Sequence, residues 1–137
     1  MKKELELKLV EKYPKIFCNY GGDKKETCMH WGFEHGDGWY NLLDVLCGNI
    51  QSHIDFMGVL PQVVTTQVKE KFGGLRFYIN GGDDYISGMI SMTESMSYYI
   101  CEKCGSTDDV AQTRGWINTL CKKCMKEREL NKEKENV

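Results

Sequence analysis

The sequence predicts an α+β fold, in which three or four helices pack on a small antiparallel sheet and a short extension follows. Two helical patterns, at residues 39–57 and 85–100, flank a segment at 63–80 that alternates apolar and polar residues. Two Cys-x-x-Cys pairs then follow, separated by sixteen residues, and this spacing is typical of a structural zinc site. The fold class is therefore α+β with a C-terminal zinc ribbon.

The first predicted element is a surface helix over residues 2–13, with Leu5, Leu9 and Tyr13 on one face and Pro14 as its end. The start of the chain alternates charged and apolar residues, which is typical of neither a signal peptide nor a membrane span. We therefore expect no contact with a membrane and a cytoplasmic location.

The strongest helical pattern begins after Asp37, which we predict to be its N-cap, and ends before Pro61. His53 lies on or beside its apolar face, so a packed, hydrogen-bonded core histidine is favoured over a ligand. The apolar positions at helical spacing are Trp39, Leu42, Leu43, Leu46, Ile50, Ile54 and Met57.

The alternating segment predicts a β-hairpin with a primed turn at the Gly73-Gly74 pair. One face, including Thr66 and Phe72, is predicted to cover the core. The opposite face is either an ordinary solvent-exposed sheet face or a basic and aromatic platform for an anion. The residues of that platform are Lys69, Lys71, Arg76 and Tyr78.

A third helix is predicted to start after Gly81-Gly82 and to continue towards Cys101. Its methionines at helical spacing favour gap-filling core over an adaptable binding surface. The positions concerned are Tyr85, Met89, Met92, Met96 and Tyr99.

The four cysteines Cys101, Cys104, Cys121 and Cys124 predict one structural zinc ion held in a closed four-sulfur shell. Between the pairs, two short strands joined at Gly115 predict the hairpin of a zinc ribbon. The alternative of a thioredoxin-type redox pair fits poorly, because that motif has one pair beside a βαβ unit. The predicted organisation is a main domain at 1–100, the ribbon at 101–124 and a charged helical tail at 125–137, frayed from Asn131.

The remaining cysteines, Cys18, Cys28 and Cys47, make the total of seven odd, which fits a reducing cytosol better than a disulfide framework. The net charge is −2, and four thiolates around one Zn²⁺ leave the ribbon neutral to slightly acidic. Nucleic-acid binding depends on clustered Lys and Arg, so this balance disfavours it.

The segment at residues 28–39 concentrates side chains with possible chemistry. Cys28, His30 and His35 offer three ligands for a second zinc, a weaker alternative than the ribbon site, and a cysteine- or metal-dependent hydrolase using Asp37 is a further one. No phosphate-binding loop, nucleophile elbow or His-Glu-x-x-His motif is present. We call the segment at residues 28–39 the binding loop and expect it to recognise a partner. Its candidate binding residues are Trp31, His35, Asp37 and Trp39.

Three stretches together resemble a family of small phage and prophage zinc-ribbon proteins of unassigned activity. They are TCMHWGFEHGDGWYNLLDVLC, QVKEKFGGLRFYINGG, and CEKCG with GWINTLCKKC. The resemblance covers roughly residues 12–125, and its most specific element is the paired Cys-x-x-Cys. It implies a phage or prophage origin and expression in a bacterial cytoplasm. Where His30 and His35 stand here, the family often has cysteines.

The function expected from these observations is a non-catalytic phage accessory protein that binds a host protein or an anionic small molecule. The resemblance favours a role against host antiviral defence. A zinc-ribbon regulator that binds nucleic acid is the alternative, and the sequence leaves the oligomeric state open.

Overall fold

The computed structural model describes residues 1–136 and confirms the α+β class, with four α-helices, a three-stranded sheet and a two-stranded sheet. None of the helices in this range combines the length and the apolar character that crossing a membrane requires. The helices are α1 (Lys3–Lys12), α2 (Tyr40–Met57), α3 (Asp84–Ser97) and α4 (Lys122–Glu135). The strands are β1 (Phe33–Glu34), β2 (Val64–Lys71), β3 (Gly74–Asn80), β4 (Ala111–Gln112) and β5 (Thr119–Leu120).

The larger sheet has the order β1-β2-β3 and is mixed, not wholly antiparallel. Strands β2 and β3 form the predicted antiparallel hairpin, whereas β1 pairs in parallel with β2, with Phe33 opposite Val68. Strand β1 was not predicted from sequence, because two residues are too few to show a strand period.

The hairpin turn consists of Phe72 and Gly73, because Lys71 pairs with Gly74. Their φ angles are 54° and 82°, as a type I′ turn requires. The prediction of a primed turn is therefore confirmed, but the turn lies one residue earlier than the Gly-Gly pair. Phe72 consequently leaves the core face on which it was predicted and is 68% exposed.

A β-bulge interrupts β2 between Thr65 and Gln67. The extra residue shifts the alternation, so that Thr65 and Val68 are buried while Thr66, predicted to cover the core, is only half-buried.

The main core gathers side chains from α1, α2, α3 and the larger sheet. Leu9 and Tyr13 of the first predicted element are buried as expected, and so is Glu6. The Glu6 carboxylate accepts a hydrogen bond from the Phe33 N–H (3.0 Å) and another from the Tyr20 hydroxyl (2.6 Å). A buried carboxylate with two donors thus ties α1 to β1.

Helix α2 begins after a single 3₁₀ turn at Asp37–Trp39, and Asp37 does not cap it. The Asp37 carboxylate instead accepts a hydrogen bond from the Lys2 N–H at 2.7 Å. The helix ends at Gly58, whose left-handed conformation accounts for the end three residues before Pro61.

His53 is a packed histidine, as predicted. Its Nε2 lies 2.8 Å from the Asp83 carboxylate, and its ring stacks on Tyr85 with a centroid distance of 4.3 Å. Asp83 also caps α3 by accepting from the Ile86 N–H, so one carboxylate joins α2 to the start of α3.

Helix α3 covers the outer edge of β3, where its side chains accept hydrogen bonds from the strand. The Leu75 N–H donates to Ser97 Oγ and the Phe77 N–H to the Glu94 carboxylate, each at 2.9 Å. These hydrogen bonds satisfy backbone N–H groups that an open edge strand would leave unpaired.

Most of the methionine stripe of α3 faces away from that contact, so its assignment to the core was wrong for Met92 and Met96, whereas Met89 is partly buried and packs against the core. The buried face consists of Ile86, Ile90, Thr93 and Ser97. The three methionines line a groove of about 770 Å³ between α2 and α3.

The end of the chain is more regular than predicted. Helix α4 starts inside the second Cys-x-x-Cys pair and continues to Glu135, so the tail expected to fray from Asn131 is helical to that point. Val137 lies outside the described residues.

Candidate metal centre and candidate binding surfaces

The four ribbon cysteines converge on one point. Their sulfur atoms all lie within 4.8 Å of one another, and Cys104 Sγ is 3.7 Å from Cys121 Sγ. A tetrahedral zinc with Zn–S bonds of about 2.3 Å places its sulfurs about 3.8 Å apart. All four cysteines are free thiols. The arrangement fits a metal ion and matches the predicted ligand set.

Local backbone geometry turns these sulfurs inward. Gly105 closes the first knuckle by donating its N–H to the Cys101 carbonyl (2.8 Å) with a φ of 82°, which suits glycine. In the second knuckle, the Cys124 N–H lies 3.5 Å from Cys121 Sγ. This contact, with the neighbouring thiols, lowers the pKa of Cys121 to about 7 and favours the thiolate that a metal binds.

Three of the four sulfur ligands are buried, and only Cys104 is exposed. Burial raises the pKa of Cys124, because a thiolate away from water needs a compensating positive charge. A four-sulfur site with no open coordination position holds structure and does not activate a substrate.

The ribbon is fixed to the main core by the segment Gly36–Trp39. The Gly38 N–H donates to the Glu102 carbonyl (2.7 Å) and the Gly36 N–H to the Glu102 carboxylate (3.0 Å). Trp39 Nε1 donates to the carbonyl of Ile100 (2.9 Å), the residue immediately before the ribbon. A Cβ atom on Gly38 would lie 2.0 Å from the Cys101 carbonyl oxygen. Glycine is therefore required where the backbone of this segment meets the first knuckle.

This docking corrects the binding loop predicted from sequence. Trp39 is 0% exposed and His35 is buried, so neither can touch a partner, and Asp37 is engaged with the N-terminal segment. Only Trp31 is well exposed. The segment at residues 28–39 is rich in aromatic residues, histidine and glycine, and its last four residues join the ribbon to the core.

His35 is a buried neutral imidazole. Its Nδ1 lies 2.7 Å from the Gly36 carbonyl, and its Nε2 is the one buried side-chain polar atom within residues 1–136 that has no hydrogen-bond partner. Burial lowers the pKa of His35 to about 4.

Cys28, His30 and His35 do not form a second centre. Within residues 1–136, the ribbon cysteines are the only group of three or more metal-ligating side chains close enough to share an ion. His30 Nδ1 lies 2.7 Å from the Gly22 carbonyl, Cys28 is exposed and His35 is buried. The three side chains are therefore not placed to share a second zinc ion or to form a hydrolase site.

The outer face of the hairpin carries the predicted basic residues together. Lys69 stands directly opposite Arg76, and Gln67 stands opposite Tyr78. Arg76 donates to the Tyr98 hydroxyl (3.1 Å) and to the Leu75 carbonyl (2.9 Å). The hydrogen bond to Tyr98 holds the guanidinium in place and raises the pKa of Arg76.

A second surface feature was not predicted. We call it the hairpin cleft: a cavity of about 460 Å³ between the β2–β3 turn and the tip of the ribbon hairpin. Phe72 and Trp116 line it and are 68% and 79% exposed. If Phe72 had been placed in the primed turn instead of on the core face, the sequence would have predicted one of these two exposed aromatic residues. The full lining is Glu70, Lys71, Phe72, Gly115, Trp116 and Ile117.

No protein-family model, curated protein or solved structure matches the chain. The expectation of a phage or prophage origin therefore stays a prediction based on the three sequence stretches. Function has to be inferred from the geometry of the metal centre and of the two surfaces.

Proposed function

We propose that this protein is a non-catalytic phage or prophage accessory protein that binds an anionic partner. In this proposal a zinc ion in the cysteine site holds the ribbon on the α+β core. Recognition belongs to the outer face of the hairpin, and the partner is a host protein with an acidic segment or a small anion. A role against host antiviral defence is part of the same proposal.

The observation that carries the proposal is the pairing of Lys69 with Arg76 across β2 and β3. Like charges placed directly opposite each other destabilise a sheet. Within residues 1–136, neither side chain forms an ion pair, and the nearby Lys71 does not either. Three unpaired cations on one face favour an anion that accepts charge-assisted hydrogen bonds.

Two neighbours define the shape of this face. Glu34 stands next to Lys69 across β1 and β2, so negative charge limits the site on that side. On the other side, Tyr98 orients the Arg76 guanidinium, and Tyr78 is partly exposed. The anion is therefore expected between Lys69, Lys71 and Arg76.

The test uses two probes, inorganic tripolyphosphate for a small anion and a polyglutamate peptide for an acidic protein segment. Calorimetric titration of the Lys69→Gln, Lys71→Gln double variant should show at least about tenfold weaker binding than wild type, because each lost hydrogen bond to a charged group contributes about 1.5–3 kcal/mol. Affinity should also fall as salt rises.

The matched control is the Lys24→Gln, Lys25→Gln double variant, which removes the same charge from exposed residues outside the hairpin. It should bind as wild type does. Equal weakening in both variants, or no binding of either probe at low salt, would rule out this face as the site.

A further inference from the structure

Two exposed aromatic residues line the hairpin cleft. Phe72 and Trp116 each stand at the tip of a hairpin, and neither belongs to a hydrophobic cluster among residues 1–136. Exposed aromatic rings on a rigid support are the usual platform for stacking a planar ring of a ligand.

The backbone at Phe72 points to a role for that side chain. Its φ angle is 54°, a conformation that Asn, Asp and Gly adopt in type I′ turns and that is strained for a bulky residue. The ring is exposed, so the main core gains nothing from it. Strained conformations of this kind cluster at binding and active sites, which favours a functional role for the Phe72 ring.

Contacts between the two hairpins fix the sides of the cleft relative to each other. Thr119 Oγ1 donates a hydrogen bond to the Gly73 carbonyl at 2.5 Å, and a Cβ atom on Gly73 would lie 2.8 Å from Ile117 Cγ2. Such a pre-formed cleft binds without the entropic cost of ordering its walls. Its volume of about 460 Å³ is in the range of small-molecule sites.

The charges around the cleft differ from one side to the other. Lys71 lines it, with Nζ 5.6 Å from the centroid of the Phe72 ring, and leads to Lys69 and Arg76 on the outer face. Glu70 also lines the cleft, and one of its oxygens accepts from the Gly73 N–H at 2.8 Å. A carboxylate accepts hydrogen bonds from the amino group of a base but repels phosphate.

We propose that the hairpin cleft binds one nucleotide unit, with its base between Phe72 and Trp116 and its phosphate against Lys71. This inference rests on the proposed function, because it names the class of anion that reaches the basic face. The net charge of −2 disfavours binding of a long polyanion along the surface. The unit is therefore a free nucleotide or a single exposed nucleotide of a strand.

The experiment compares adenosine 5′-triphosphate, a short single-stranded oligonucleotide and base-free tripolyphosphate on the full chain. Either nucleotide probe should bind more tightly than tripolyphosphate and quench the part of the tryptophan fluorescence that Trp116→Ala removes. Phe72→Asn and Trp116→Ala should each weaken nucleotide binding by about 5- to 150-fold, the equivalent of about 1–3 kcal/mol per stacked base. Binding of tripolyphosphate should stay unchanged in both variants.

Folding does not obscure this test. Asn adopts a positive φ angle readily, so Phe72→Asn should melt at the same temperature as wild type or higher. Phe56→Ala is the matched control, because Phe56 is an exposed aromatic residue of α2 outside the cleft, and it should bind as wild type does.

The outcomes separate the two proposals. If nucleotides bind no more tightly than tripolyphosphate, or if both cleft variants bind normally, the cleft inference is overturned while the anion-binding face stands. If no probe binds wild type, both are overturned. A preference for triphosphate or for oligonucleotide identifies the source of the nucleotide and supports the inference in either case.

Discussion

At the scale of single residues, Gly38 is the position where a side chain is least tolerable. A Cβ atom there would lie 2.0 Å from the Cys101 carbonyl oxygen and 2.5 Å from the Gly105 nitrogen, and both are backbone atoms of the first knuckle. Gly38→Ala should therefore lower the free energy of unfolding by about 3 kcal/mol or more. Denaturant titration of the zinc-loaded wild type and variant measures this change in the free energy of unfolding.

Gly88→Ala is the control for Gly38→Ala. Gly88 lies inside α3, and a Cβ atom there would meet no other atom of the described part of the chain within 4 Å. Alanine should raise the free energy of unfolding by about 0.5–1 kcal/mol, the usual difference between the two residues in a helix. Equal destabilisation by both substitutions would contradict the close approach at Gly38.

His35 makes stability depend on pH. Burial lowers its pKa from 6.5 to about 4, so the unfolded chain takes up a proton at a higher pH than the folded chain does. Its contribution to stability is complete above about pH 6.5 and decreases as the pH falls towards 4. At pH 5 the loss is about 2 kcal/mol.

The measurement compares wild type with His35→Phe, in excess zinc, from pH 7.5 to pH 5. Phenylalanine can occupy the site between Phe33 and Trp39 without a titrating group. The variant should lose less stability than wild type over this range. Parallel loss in both proteins would show that other groups cause the pH dependence.

At the scale of elements, the ribbon should depend on its metal. Strands β4 and β5 have two residues each, too few to hold a hairpin without a cross-link. Native mass spectrometry should find one zinc ion per chain. Chelation, or the variant Cys104→Ser, should make the bonds after Arg114 and Lys122 sensitive to trypsin.

Cys18→Ser serves as the control for Cys104→Ser, because Cys18 is an exposed thiol outside the cluster. It should keep its metal and its resistance to trypsin. A metal-free protein whose ribbon resists trypsin would contradict the structural role of the site.

The elements differed in how well sequence predicted them. Helix α2 and the β2–β3 hairpin were found because each is long enough to repeat its period several times. The buried face of α3 was misjudged, since both of its sides carry apolar residues and only the packing of Ile86 and Ile90 on the sheet side decides between them. Periodicity alone cannot choose between two apolar faces.

At the scale of the whole molecule, the ribbon is joined to the core at several points. They include the segment Gly36–Trp39 and the hydrogen bond from Thr119 to Gly73. Thr119→Val keeps the side-chain shape but leaves the buried Gly73 carbonyl without this donor. The free energy of unfolding should fall by about 1–3 kcal/mol.

Calorimetry of Thr119→Val tests this contact, and Thr107→Val is the control because Thr107 is exposed. The Thr119 variant should also bind nucleotide more weakly, since the cleft loses a contact that fixes its walls. A normal melting temperature for Thr119→Val would show that the contact contributes nothing to stability.

The cluster of four cysteines was predictable from sequence, but the surfaces were not. Cysteine spacing constrains a site locally, whereas the hairpin cleft forms only when two turns more than forty residues apart meet through Gly73 and Thr119. The assignment of Trp39 to the binding loop was wrong for the same reason, although its place on the apolar face of the helical pattern was right. Its neighbours in the chain do not show that its indole N–H donates to the Ile100 carbonyl, 61 residues away.

Helix α4 gives the cysteine site an effect beyond the ribbon. Among its 14 residues only Cys124 is buried, so no apolar stripe supports it, and a polar helix of this length is marginal in water by itself. Cys121 is the N-cap of this helix, and its sulfur accepts a hydrogen bond from the Cys124 N–H in the first turn. An ion bound there would supply the nucleus from which the helix propagates. The far-ultraviolet ellipticity at 222 nm should therefore follow the occupancy of the site during a titration with zinc.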